Sequence, residues 1–562
     1  MTSVAPYLVF FAGAAVVALT AGRVRAAVLL ALPIIGAANL FAMPEGARLT
    51  VTVLDYTLTP LRVDRLSMLF GYLFHLAAFI AIVFSLHVRD TSQYVSGLLY
   101  AGSALGAVFA GDLITLFIFW ELLAVTSVFL ILARKTARAQ AAAMRYLLIQ
   151  VLAGVILLAG VLVRVHKTGS IAFDFIGLDG LASWLIFTAF GIKCAFPFLH
   201  NWLTDAYPEA TPTGAVFLSA FTTKVAVYAL ARGFPGTELL IYIGAAMTMF
   251  PIFFAVIEND LRRVLAYSMI NQIGFMVCGI GIGTQLALNG AVAHAFNDVI
   301  FKGLLFMSMG AVLFRTGKIN GSELGGLYKS MPLTAGLCIV GAASISAFPL
   351  FSGFVSKSMV MVAAVQEGYP IVWLALLFAS AGVFHHAGIK IPFFTFFAHD
   401  SGIRVKEAPT NMLIAMGLAA AICVFNGSYP WVLYSLLPFP VDYAPYTADH
   451  VLTQSQLLFF SALAFCMLKL TGLYPPELPG VNLDAEWSYR WLLPRGVRGL
   501  VRAFRPLDQG GRAAGLLAVH QVIAGVSRQA GPQRALAHTD AVGGMVTWVV
   551  VLLVVYLVLY FV

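Results

Sequence analysis

Six side chains in this sequence are ionisable, lie inside apolar runs and could hand protons to one another: Glu121, Lys193, Lys224, His294, Lys302 and Lys390. Lys193 and Lys224 sit near the middle of two apolar runs in LASWLIFTAFGIKCAFPFLHNWLTDAYPEATPTGAVFLSAFTTKVAVYALAR (181–232). A lysine at the centre of a bilayer costs roughly 2.5–3.5 kcal/mol on insertion scales, so amines in two consecutive spans point to ion or proton movement rather than to packing. Pro197 follows Lys193 by four residues. Its ring presses on the Lys193 carbonyl and it has no N–H, which predicts a broken helix with a titratable amine at the break.

Glu121 lies near the middle of LITLFIFWELLAVTSVFLILA. A lone carboxylate there must be neutralised, paired or hydrated, and Lys193 is its natural partner. Approach of the carboxylate stabilises the charged amine; separation favours loss of its proton. Lys224, with Thr222 and Thr223 beside it, is placed to receive a proton from Lys193. In AVAHAFNDVIFKGLLFMSMGAVLF, His294, Asp298 and Lys302 stand at i, i+4 and i+8 and form one polar stripe of imidazole, acid and amine. His386 and Lys390 lie in FHHAGIKIPFFTFFAHD, with Pro392 just after the lysine. GIKIPFF is similar to GIKCAFP, which predicts a second broken helix and an internal repeat, with halves near 94–231 and 264–430. His385 and His386 are adjacent, so they point apart and make a poor metal pair. The five cysteines, Cys194, Cys278, Cys338, Cys423 and Cys466, form no CxxC and support no disulfide, Fe–S or zinc site.

The elements that hold these residues follow from composition. The 562 residues are 60% hydrophobic and only 10% charged, against about 25% charged in soluble domains, and the mean hydropathy is +0.91. This predicts an all-α polytopic membrane protein with about 14–16 transmembrane helices. Residues 3–22 read as a first span rather than as a cleavable signal. With the N-terminus outside, Arg23, Arg25, Arg89, Arg134, Lys135, Arg138, Arg145, Arg262, Arg263, Arg315, Lys318 and Lys329 fall in inner loops, as the positive-inside rule asks. The net charge of +9 therefore reflects topology and anionic lipid, not nucleic acid. YPPELPG (474–480) breaks the pattern. Beyond it Arg495, Arg498, Arg502 and Arg505 recur opposite Leu500, Val501 and Phe504, which predicts a basic amphipathic helix on the inner leaflet before a last span. No GxGxxG unit, P-loop, HExxH or CxxCH is present. The expectation is a transporter subunit rather than an enzyme, with no cofactor, whose energy comes from an ion gradient or from partner subunits.

Several blocks together resemble one family: FWELLAVTSVFLI (119–131), FPFLHNWLTDAYPEATPTGAVFLSAFTTKVAVYALAR (196–232), ENDLRRVLAYSMINQIGFM (258–276), HAFNDVIFKGLLFMSMGAV (294–312) and LGGLYKSMP (324–332). These are similar to the proton-translocating antiporter-like subunits of respiratory complex I, membrane-bound hydrogenases and Mrp-type Na+/H+ antiporters, over roughly residues 60–430. NDLRRVLAYS, HAFNDVIFKG and DAEWSYR look most like the D component of the Mrp-type antiporters. The resemblance implies two inverted-topology repeats, each with a broken helix, and a buried axis of charge along the membrane plane. It places Glu121 at the family glutamate and Lys193 at the lysine of the first broken helix. Lys224 falls at the connecting lysine, His294 and Lys302 on the family's His…Phe-Lys helix, and Lys390 at the terminal charge of the second half. Asp298 fills a position that is often apolar in the family. The implied organisation is 1–93 N-terminal helices, 94–257 first antiporter-like repeat with a connecting helix, 258–430 second repeat, 431–490 C-terminal span and loop, and 491–562 basic amphipathic segment and final helix. The implied partners are other membrane subunits, Na+ or another monovalent cation and H+, in a bacterial inner membrane, with anionic lipid at the basic segment. Two other readings stand beside it: a proton-pumping subunit of a redox complex, which would use the same charges, and a non-transporting partner such as a coupling subunit for inorganic-carbon uptake, which would keep its function without Lys193 and Lys390.

Overall fold

The computed structural model describes residues 4–480, 482–530 and 541–561. The first residue of the expected opening span, the last of the closing span and part of the 491–562 segment lie outside the described residues. Among those described, 12 helices are long and apolar enough to cross a membrane, and three shorter apolar helices accompany them: Pro6–Leu19, Leu181–Lys193 and Pro332–Ile345. The only two strands among the described residues, Arg48–Val53 and Tyr56–Arg62, pair as an antiparallel hairpin. The protein is a polytopic all-α membrane protein.

Met1–Asn482 forms one compact unit and Leu483–Val562 a second. In the second unit the 38-residue helix Leu493–Ala530 carries Arg495, Arg498, Arg502 and Arg505 together with exposed Leu500, Val501 and Phe504. The Arg495 guanidinium lies 3.6 Å from the centre of the Trp491 ring. The apolar helix Ala541–Phe561 follows.

In the first unit helices start at polar caps that sequence makes plain. Asp112 accepts from the Thr115 amide at 2.7 Å, and Thr136 from Ala139 at 3.1 Å, each satisfying an amide that the first turn leaves open. These caps set the ends of helix Leu113–Leu132, which carries Glu121, and of helix Ala137–Thr168 beside it.

Two helices are broken, and they break in the same way. Helix Leu181–Lys193 ends in CAFPFL, and helix Pro332–Ile345 ends in SAFPLF. Ala195 and Phe198 in the first break have φ of 62° and 66°, and Ala347 and Leu350 in the second have 60° and 74°. Non-glycine residues rarely take this left-handed backbone, which costs roughly 1–2 kcal/mol each. Four backbone hydrogen bonds also correspond. Cys194, Ala195, Phe196 and Leu199 donate to Phe190, Ile192, Gly191 and Phe196 at 2.8, 3.1, 3.0 and 2.9 Å. Ser346, Ala347, Phe348 and Phe351 donate to Ala342, Ser344, Ala343 and Phe348 at 3.2, 3.2, 3.1 and 3.1 Å. Each chain then resumes as a helix, Asn201–Ala206 and Ser352–Gln366.

The first break is where Pro197 predicts it. The second is not at GIKIPFF. There the helix Pro370–Val383 runs on through wider π-helical turns at Phe384–Lys390 and Phe393–Phe397. The wider turns absorb the missing Pro392 amide without ending the helix. The matching element is AFPFL against AFPLF, where two flanking residues of each break adopt the left-handed region.

Asp64 fastens two of the helices that frame the first half. It caps helix Arg65–Ser85, accepting from the Ser67 amide at 2.9 Å, and takes a two-point ion pair from Arg232 at 2.7 and 2.8 Å. Burial raises the Asp64 carboxyl, but Arg232, the Ser67 amide and Arg62 outweigh it and hold the group below the usual carboxylate range. A depressed carboxyl contributes stability above the unfolded value of about 4 and loses it as pH falls through the folded value. Asp64→Ala is expected to cost about 1 kcal/mol through the cap alone, with a lower thermal midpoint in detergent. The deficit should shrink as the wild type is titrated below pH 4.

Candidate functional site

The loop after the first break is tied down by charge. Arg145 grips Asp205 at 2.7 and 3.1 Å, and Arg138 and Arg134 grip Glu209 at 2.7 and 3.3 Å. Buried Arg262 donates to the carbonyls of Ala210 at 3.0 Å and Thr211 at 3.3 Å. The acid and proline residues between the two lysines therefore hold the break in place.

Above this base lies the first pair. Glu121 is half-buried, with Oε1 out of solvent and without a hydrogen-bond partner. It lies against Gly154 of helix Ala137–Thr168, where a Cβ would fall 1.3 Å from Oε1, so only glycine leaves room for the carboxylate. Lys193 is fully buried and its ammonium lies 4.5 Å from the centre of the Trp120 ring. It donates to the Trp120 carbonyl, one residue from Glu121, and the two charges interact electrostatically. Gln150, one helical turn before Gly154, is buried with both amide atoms unpaired. One turn earlier still, Tyr146 bonds Ser127 of the Glu121 helix at 2.7 Å. Orphan polar atoms in this row are the sites that buried water satisfies.

The second pair was not apparent from the sequence. Lys224, in helix Thr222–Gly233, meets Asp298 of helix Gln285–Thr316 at 2.7 Å, and both side chains are wholly buried. Lys224 also donates to the Ser219 carbonyl at 3.4 Å. Asp298 is thus the counter-ion of Lys224, on a helix much further along the chain. His294 and Lys302, one turn to either side of it, bond other partners. His294 lies between Ser356 at 3.0 Å and Gln272 at 3.1 Å, and Lys302 donates to Ser268 at 2.8 Å.

The third group contains a residue that the sequence reading did not select. Lys357, in Ser352–Gln366 beyond the second break, is buried and donates to the Ile345 carbonyl at 3.1 Å. Its ammonium lies 5.0 Å from the centre of the Phe275 ring and interacts with Asp298. The likeness of SAFPLF to CAFPFL was the signal that could have found it. Lys390 stands apart, held by the carbonyls of Val256 and Glu258, both at 2.6 Å, and by Glu477 at 2.9 Å. Among the described residues no three His, Cys, Asp or Glu side chains converge as a metal site would need.

Lys224, Asp298, His294, Lys302 and Lys357 form one buried group within electrostatic reach, Glu121 and Lys193 form a second, and Lys390 stands apart. Residues 110–384 match the family described as NADH:quinone oxidoreductase/Mrp antiporter, transmembrane. The match takes in just under half of the chain. Hydrogenase-4 component B of Escherichia coli (strain K12) is 28% identical over 490 residues, covering 76% of this chain and 72% of the relative. The D component of the Na(+)/H(+) antiporter of Alkalihalophilus pseudofirmus is 32% identical over 291 residues, covering 48% of this chain and 59% of the relative. The chain thus spans less than two thirds of that antiporter component. The fold matches a chain of the Mrp complex from Dietzia sp. DQ12-45-1b with a TM-score of 0.66 and 20% identity, over 84% of this chain and 95% of that one. It matches a chain of the membrane-bound sulfane sulfur reductase, an archaeal respiratory membrane complex, with a TM-score of 0.71 and 22% identity, over 98% and 99%.

Breaking a buried ion pair on one side leaves an unpaired charge and costs about 3–5 kcal/mol, whereas replacing both partners with apolar side chains is close to neutral. Asp298→Leu is expected to lower the thermal midpoint of the purified protein sharply, and Lys224→Met combined with Asp298→Leu to restore most of it. Equal loss in the single and double variants would contradict the pairing.

Proposed function

We propose that the chain is the ion-translocating subunit of a multisubunit monovalent cation (Na+)/proton antiporter of the bacterial inner membrane. Protons move along Glu121, Lys193, Lys224, His294, Lys302 and Lys390, with Asp298 and Lys357 completing the row. The observation that carries this reading is the wholly buried Lys224–Asp298 pair at 2.7 Å, flanked by further buried amines. Unpaired charge is expensive at this depth, so each amine gains or loses its proton according to the charge beside it. A proton brought to Glu121 weakens its hold on Lys193. The amine can then pass its proton toward Lys224, which in turn weakens the Lys224–Asp298 pair and favours transfer toward Lys302 and Lys357. His294, fixed between Ser356 and Gln272, is held in one orientation for exchange with its neighbours. Other membrane subunits are the partners this reading requires. The basic helix Leu493–Ala530 suits anionic lipid.

A second reading, a proton-pumping subunit of a redox complex, is supported by the similarity to hydrogenase-4 component B, which covers 76% of this chain and 72% of that protein. The same axis serves both, and the energy source separates them. In inverted membrane vesicles, Glu121→Ala and Lys193→Ala are each expected to abolish cation-dependent proton exchange while the complex still assembles. Wild-type exchange in both variants would sink the axis. Proton movement that needs an electron donor, and not added Na+, would select the redox reading.

A further inference from the structure

The connector after helix Ala448–Leu470 does more than interrupt the helices. Tyr474 turns inward and is buried, its ring 5.1 Å from that of Phe465, 5.4 Å from His385 and 6.0 Å from Phe394. Three residues on, Glu477 reaches into the same space. Its chain neighbours Pro476 and Leu478 are exposed, yet its own side chain is only 5% exposed and Oε1 lies 2.9 Å from Lys390 Nζ. Gly321 faces the other oxygen, and a Cβ there would be 3.4 Å from Oε2. One carboxylate thus spans from a water-exposed backbone to a wholly buried amine.

The other groups around it are already committed. The Glu258 carboxylate accepts from the amides of Asn259 at 3.0 Å and Asp260 at 3.1 Å and from Asn482 at 3.1 Å, with Arg263 at 3.9 Å. The Lys469 ammonium lies over the Phe394 and Tyr474 rings at 5.0 and 5.5 Å. The Val256 and Glu258 carbonyls that hold Lys390 carry no proton to give. Apart from Lys390, no donor among the described residues reaches the Glu477 carboxylate. Burial raises its carboxyl above the usual range, although Lys390 and Lys469 pull it down. One turn before Lys390, His386 is fully buried, neither ring nitrogen makes a well-formed hydrogen bond, and it interacts electrostatically with both Lys302 and Lys390.

We propose that Glu477 is the proton port of the second half, a relay carboxylate on the connector that exchanges protons between water and Lys390, with His386 leading on to Lys302. The port opens on the side that carries Arg262, Arg263, Arg315 and Lys329, the inner side by charge bias. The steps balance. Protonated Glu477 gives its proton to the neutral Lys390 amine, which leaves the carboxylate–ammonium pair seen here. The ammonium passes a proton to the His386 imidazole and returns to the amine. Glu477 then regains a proton from water, and the imidazolium delivers its own to Lys302. The separation of 2.9 Å is within direct transfer distance.

This port rests on the axis proposed above, and the test separates the two. Proton exchange is measured across pH in inverted vesicles holding the whole complex, with Glu121→Ala as reference and co-purified subunits as the check on assembly. Glu477→Gln keeps length and an acceptor but cannot relay, and is expected to lose at least tenfold in rate. Glu477→Asp should keep most of it. Glu477→His should recover part of it with a displaced pH profile, which a purely structural tie would not produce. A wild-type rate in Glu477→Gln, with Glu121→Ala inactive, would overturn the port and leave the axis standing. Wild-type rates in both would overturn the axis as well. Equal loss in Gln, Asp and His variants with an unmoved pH profile would make Glu477 a structural counter-ion and also overturn the port.

Discussion

The ion pair between Lys224 and Asp298 is the constraint on which the rest of the molecule turns. Two opposite charges lie 2.7 Å apart with neither side chain exposed. Removing both from water costs several kcal/mol per ion, and only close mutual attraction repays it. Neither group can change its charge without cost to the other. Lys224 belongs to helix Thr222–Gly233, and Asp298 to the long helix Gln285–Thr316 that also carries His294 and Lys302. A change in protonation on either helix is therefore felt at this pair, which is the physical basis for the coupling proposed above.

Helix ends supply the second requirement, unpaired backbone carbonyls beside buried amines. Lys357 rests on the carbonyl of Ile345, the last residue before the second break, and Lys390 on the carbonyls at the end of helix Glu238–Ile257. Terminal carbonyls have no intrahelical donor and carry the negative end of the helix dipole, so they hold a cation without neutralising it. Such an amine is solvated by protein without being neutralised. The strain of left-handed Ala195, Phe198, Ala347 and Leu350 is the local cost of exposing this backbone.

Much of this was legible in the sequence, because a charge inside an apolar run is conspicuous and expensive. Glu121, Lys193, Lys224, His294 and Lys302 all stand out on that ground; the four basic side chains are wholly buried and Glu121 is half-buried. The stripe at i, i+4 and i+8 places Asp298 on the face of its helix that Lys224 meets, although no pattern within one helix can reveal a partner on another. Lys357 was missed because its helix is short and its break is written in left-handed alanine and leucine, which local propensity does not foretell. The apparent repeat at Lys390 misled for a related reason: proline announces a missing amide, but a π-helical turn can absorb it without a break. Glu477 sits in YPPELPG, which reads in sequence only as a break, since only tertiary packing carries its carboxylate inward. Gly154 and Gln150 are equally silent in sequence, one making room for Glu121 and the other leaving unpaired amide atoms on the way to it.

The most direct test of the central claim acts at the junction of the halves. Proton exchange in inverted vesicles containing Lys224→Gln removes the charge there and keeps a side chain of similar length. The account predicts loss of exchange in a complex that still assembles, with Glu121 and Lys193 unaltered. Exchange at the wild-type rate in that variant would show that protons do not pass through the Lys224–Asp298 junction.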